Sequence, residues 1–180
     1  MNNIRRLCMI MQISLQLFLI VQVLFFLLCW IQPAPLNAPG NLMQLLPDGM
    51  TAAEMQSLTP TQRLLGAAIG MLPLGVMIYG LVRLRQTLNS FRTGAIFAVT
   101  TIGRMRSFAG ALFFSVGLSL LEKPLRVIML NETLHRSNYK IVFDINSYQF
   151  LLLLVCGMFY LIAAIMHEGR RLGEENESFI

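Results

Sequence analysis

Charge is scarce in this chain: 13% of its 180 residues are Asp, Glu, Lys or Arg, against about a quarter in soluble globular domains. Hydrophobic residues make up 56%. So few charges cannot cover a water-facing surface, and lipid is the solvent that fits the composition. Cysteine is nearly missing as well. Cys8, Cys29 and Cys156 lie in or beside apolar runs with no CxxC spacing, which excludes a disulfide or thiolate-metal framework and leaves them as small packed residues. Histidine is limited to His135 and His167, and HExxH, GxSxG and phosphate-loop motifs are all missing. His135 near Glu132 and Asp144 lacks the paired spacing of zinc ligands. The expectation is a protein that is not an enzyme and holds neither cofactor nor metal.

What is plentiful is uncharged length. Residues 7–31, 64–82 and 145–166 carry no charged side chain, and a hydrocarbon core of about 30 Å takes roughly 20 helical residues to cross. A fourth uncharged run, 107–121, is shorter and needs its flanks to complete a crossing. The first run exceeds the roughly 7–15 residues of a signal-peptide core, so it reads as a retained helix. The sequence therefore predicts an all-α integral membrane four-helix bundle, a single domain over 1–180. Its spans fall at about 7–31, 62–83, 104–130 and 146–167, with loops at 32–61, 84–103 and 131–145 and a tail at 168–180.

The basic residues sort by side. Arg5 and Arg6, then Arg83, Arg85, Arg92, Arg104 and Arg106, then Arg170 and Arg171 fall on one face of such a bundle. The opposite face has no Lys or Arg over 32–60 and only Arg136 and Lys140 over 131–146. The positive-inside rule then predicts cytoplasmic termini and a cytoplasmic middle loop. Attraction to anionic headgroups accounts for the net charge of +5 without direct contact to nucleic acid, for which no helix-turn-helix or basic-aromatic pattern is present.

Local signals refine the elements. Residues 51–58 predict two helical turns capped by Thr51 with Glu54. Gly94 is expected to end the second long helix and Thr100 or Thr101 to start the next. Gly103, Ser107, Ala111, Ser115 and Ser119 recur every fourth residue, and Gly66 and Gly70 have GxxxG spacing, with Gly75 and the bending Pro73 further on. These small residues predict intimate packing of spans two and three as a hairpin. Gln12, Gln16 and Gln22 in the first span are expected to bond to neighbouring helices, in preference to lining a transport path.

One polar constellation interrupts the third span: Glu122, Lys123 and Arg126 around Pro124. Glu122 and Arg126, four residues apart, can pair on one helix face, and the long basic stems can snorkel to the headgroups. The sharper reading is an aqueous pocket in which an anion or ion meets Lys123 and Arg126. That would suit a small transporter or channel subunit, a homo-oligomer because four helices enclose little space.

The tail reads Glu168-Gly-Arg-Arg-Leu-Gly-Glu-Glu-Asn-Glu-Ser-Phe-Ile180, with Arg170 and Glu174, and Arg171 and Glu175, at helical pairing distance. Glu168, Gly169, Leu172, Glu174, Glu175, Asn176, Glu177 and Ile180 match an E-G-x-x-L-x-E-E-N/Q-E-L-T-V ending, from which Ser178-Phe179 departs. Gly94-x-Ile96-Phe97, followed by Arg104-Met-Arg106, is similar to a G-x-x-F turn before a basic helix start. In these features the chain resembles the bacterial membrane family called domain of unknown function 2975. The resemblance implies the bacterial cytoplasmic (inner) membrane, no enzyme activity, and partnership with a small helix-turn-helix transcription regulator. The expected function is a sensor or tether whose partner surface comprises Arg92, Arg104, Arg106, Arg170, Arg171, Glu174 and Glu175.

Overall fold

The computed structural model describes residues 2–31, 52–134 and 147–177, and every regular element among them is helical. The order is α1 (Asn2–Ile31), α2 (Ala52–Ser57), α3 (Pro60–Arg92), α4 (Val99–Leu134) and α5 (Ser147–Glu177). Three stretches, Arg6–Ile31, Pro60–Arg92 and Ser147–Asn176, are long and apolar enough to cross a membrane, which makes this a helical membrane protein. In α4 the uncharged run is closed by Arg106 and Glu122. Thr51, His135, Arg136, Lys140 and the last three residues lie outside the described residues.

Lipid explains the surface. Leu17, Phe18, Val21 and Leu24 of α1 and Phe150, Leu154, Leu161 and Ile165 of α5 all face outward, an apolar exposure that water would penalise and hydrocarbon does not. Inside the protein, close contact must come from packing and hydrogen bonds, because lipid tails are as apolar as leucine.

The long helices pack in chain order. α1 lies on α3, α3 on α4 and α4 on α5, each pair antiparallel. No backbone approach between α1 and α5 closes them into a ring among the described residues. The α3–α4 seam is the most extensive, as the small residues predict. A Cβ on Gly80 would meet that of Ala111 at 3.1 Å, and buried Ser115 donates its hydroxyl to the Pro73 carbonyl at 2.9 Å. That carbonyl acceptor explains how a serine is tolerated there. The stripe works only in its middle, since Gly103 at its start is exposed and a Cβ there would meet no neighbouring helix.

The GxxxG pair serves α1 as well as the expected α4. Gly66 lies under the indole of Trp30 and Gly70 beside the Phe26 ring, so these glycines admit the bulky end of α1. Trp30 joins Cys29, Met55 and Leu58 in a buried cluster that seats α2 on the α1–α3 pair. Arg63 fastens it by donating to the Met55 carbonyl at 3.1 Å. α3 itself opens with a capping box: Thr59 Oγ1 accepts from the Gln62 amide and Gln62 Oε1 from the Thr59 amide, with Pro60 following.

Between α3 and α4 the chain turns on Gly94, whose φ is +84°. Ala95 N–H donates to the Ser90 carbonyl at 3.0 Å and Gly94 N–H to that of Phe91 at 3.2 Å, the paired bonds of a Schellman stop. α4 begins at Val99, with the Ala98 carbonyl accepting from Thr101 and Ile102. Thr101 is thus inside the helix and not its cap. Its buried hydroxyl turns back to the Ala95 carbonyl at 2.9 Å, which pins the turn. Nothing lies within 4 Å of a Cβ at Gly94, so Gly94→Ala isolates backbone strain. Its expected cost is about 1 kcal/mol, measured as reduced resistance to unfolding in detergent.

Candidate functional site

Two clusters of charged groups stand out among the described residues. The first is the constellation on α4. Arg126 Nη1 lies 3.3 Å from Glu122 Oε1, and the arginine side chain is 3% exposed against 22% for the glutamate. The pairing follows the predicted i,i+4 geometry, but Arg126 does not snorkel: it is buried. Room for the carboxylate comes from Gly70 across the seam, where an added Cβ would stand 3.2 Å from Glu122 Oε1 and 3.0 Å from Phe26 Cε2. α4 runs helically through Pro124, which is itself buried. Lys123 is partly exposed.

Beside this pair is a cavity of about 350 Å³, bounded by Ile69, Leu72 and Pro73 of α3 and by Leu118, Leu121, Glu122, Pro124, Leu125 and Ile128 of α4. Its walls are aliphatic apart from the edge of Glu122. Water and ions are poorly served by such a lining, whereas a hydrocarbon chain is well matched.

The second place is the arginine-rich end of the molecule. Ile96 packs into the buried cluster of Ile102, Met105, Ala163 and Met166, with Phe91 and Phe159 at its margin. Phe108 and Phe159 meet edge to face at 5.0 Å. Phe97 turns the other way, to the tail: a Cβ on Gly169 would lie 3.7 Å from its Cε1. The Gly94–Phe97 turn and the Glu168–Gly169 start of the tail, two motifs far apart in sequence, are therefore brought close together.

α5 continues without a break through the tail to Glu177. Its charges pair along the helix: Arg170 with Glu174 at 2.6 Å, and Arg171 with Glu168 at 2.6 Å and Glu175 at 3.3 Å. The Glu168 pair was not among the predicted ones, although its i,i+3 spacing was readable. Of the remaining surface residues, Arg92 and Arg106 are exposed and Arg104 is half-buried, donating to Ser90 Oγ at 3.1 Å. Arg104, Arg92 and the tail thus border one end of the molecule, while the α4 constellation lies at the other.

Among the glutamines of α1, Gln16 faces Arg85 of α3. With its carbonyl oxygen turned to the guanidinium it accepts from Nη1 and Nη2 at 3.2 and 3.1 Å. That bond ties the arginine-rich ends of the two helices. Comparison with family models, with curated proteins and with solved structures gives no match to this chain.

Proposed function

We propose that the protein crosses the bacterial cytoplasmic membrane four times, α4 included, with both termini inside, and tethers a cytoplasmic transcription regulator. The closeness of Phe97 to Gly169 carries this reading. It sets the middle turn beside the tail helix, which supports reading Arg92, Arg104, Arg106, Arg170, Arg171, Glu174 and Glu175 as one platform. Arginine placement supports the orientation, since the groups that cluster in sequence all belong to this end. Resemblance to the domain of unknown function 2975 family supports a small helix-turn-helix partner. Direct nucleic-acid contact and catalysis form no part of the proposal.

A transport path through Glu122, Lys123 and Arg126 is the weaker reading, because Arg126 is sequestered and the adjoining cavity is aliphatic. The tether is tested by affinity recovery from the native host with the full chain as bait, the expected catch being a small helix-turn-helix regulator. Recovery with the full chain, and its loss on Phe97→Asp combined with removal of 168–180, is the expected result. Undiminished recovery by that variant, still inserted in the membrane, would refute the platform. Reporter fusions at Arg92 and Arg171 are expected to lie on the same side, and opposite sides would overturn the topology.

A further inference from the structure

Arginines usually find carboxylates, and here the sequence withholds them. No Asp or Glu occurs over residues 1–47 or 55–121, so α1, α3 and the first half of α4 hold only positive charge. Among the described residues, Arg83, Arg85, Arg92, Arg104 and Arg106 make no ion pair. Three of them are nevertheless held in place by neutral groups: Arg85 by Gln16 of α1, and Arg83 and Arg104 by partners on α3. Arg83 donates from Nε to the Tyr79 hydroxyl at 3.1 Å and from Nη1 to Gln86 Oε1 at 3.3 Å, with its guanidinium 5.0 Å from the Tyr79 ring centre. Arg104 donates to Ser90 Oγ, and Ser90 in turn donates to the Gln86 carbonyl at 3.2 Å. Two oriented guanidiniums are thus linked through Gln86 and Ser90 across the α3–α4 seam.

These contacts occupy few of the five N–H donors that each guanidinium offers. An arginine near hydrocarbon without a counter-charge is costly. A planar, donor-rich fork of this kind suits a phosphate.

The rest of the ligand is implied by what shares the face. On α3, Leu72, Tyr79, Arg83, Gln86 and Ser90 fall at helical offsets of 7, 11, 14 and 18 from the first, one side of the helix. On α4, Arg104, Leu118 and Leu125 are in heptad register. Leu72, Leu118 and Leu125 are walls of the aliphatic cavity. From Arg83 to Leu72 is 11 residues, about 16 Å of helix, a distance that one acyl chain spans.

We propose that this face binds a single anionic phospholipid from the leaflet at the arginine-rich end. Its phosphate sits between Arg83 and Arg104, and one acyl chain lies along the α3–α4 seam into the cavity. This site depends on α3 lying in the membrane and not on the tether.

The test uses the full chain purified in a neutral detergent, with phosphatidylglycerol titrated in and retained lipid counted by native mass spectrometry. One phosphatidylglycerol per chain, kept in preference to phosphatidylcholine, is expected. Arg83→Gln with Arg104→Gln should weaken binding about thirtyfold, as for two arginines near a charged headgroup, while Arg92→Gln with Arg106→Gln leaves it within about threefold. Leu118→Trp, which fills the cavity with all arginines kept, should also reduce retention and guards against misfolding of the charge variant.

Equal retention of phosphatidylcholine by the unaltered protein would overturn the proposal. So would equal losses in the two arginine pairs, which would mean diffuse attraction. Inorganic phosphate that displaces the lipid and protects against unfolding equally well would reassign the site to a free anion.

Discussion

Glu122→Ala is expected to destabilise the protein by about 3 kcal/mol, the scale seen when one member of a buried ion pair is removed. The carboxylate is a counter-charge 3.3 Å from a guanidinium that is 3% exposed, and Arg126 stays charged at any accessible pH. Removing the acid therefore leaves a positive group in a low-dielectric seam. Arg126→Met costs less, because it takes the charge away together with its desolvation. The double variant Glu122→Ala/Arg126→Met should recover most of the loss, since paired replacement by apolar groups is often close to neutral. Denaturant titration in micelles, followed by tryptophan fluorescence, measures all three. A single Glu122→Ala variant as stable as the parent would show that the pair contributes nothing to holding α4 against α3.

Gly66→Leu is the second large effect, at about 2 to 3 kcal/mol for overpacking a tight contact. Even a methyl at this position would run into the Trp30 indole. The ring cannot simply swing away, because it is buried with Cys29, Met55 and Leu58. Trp30→Ala combined with Gly66→Leu should be less damaging than the sum of the two single changes, the signature of residues that share one space. Proteolysis reads the same event locally: loosened α1 exposes the α2 region to cleavage before α3–α4 is affected. Gly75→Leu, at an exposed glycine with nothing within 4 Å, is the matched control and should be near neutral.

Much of the architecture was legible because lipid imposes a coarse requirement. Runs such as 7–31 and 145–166 admit no charged side chain, and length alone identifies them. Pairing was harder. Spacing reveals which residues of one helix share a face, but not which helix they meet: Gly66 receives Trp30 of α1, and Gly70 stands between Phe26 of α1 and Glu122 of α4. The Thr59–Gln62 capping box was readable from its S/T-x-x-Q pattern, yet the Pro-rich approach drew attention to Thr51 instead.

The polar sites divide in the same way. Glu122 with Arg126, and the Arg170 and Arg171 pairs of the tail, are local in sequence and were anticipated. Burial of Arg126 was not, since it depends on how the helices pack, and the Glu122 carboxylate beside it stands against Gly70 of another helix. The closeness of Phe97 to Gly169 and the series from Tyr79 to Arg104 join separate segments, and no periodicity encodes them.

Packing in chain order has a consequence for synthesis. As the polypeptide leaves the ribosome, α1 has no long-helix neighbour until α3 arrives, and after that each new long helix finds its docking surface already made. Assembly can advance with translation, with no early helix held in reserve for a late one. A nascent chain stalled before α5 would already contain the α1–α3 and α3–α4 contacts, leaving α5 as the last piece to be added.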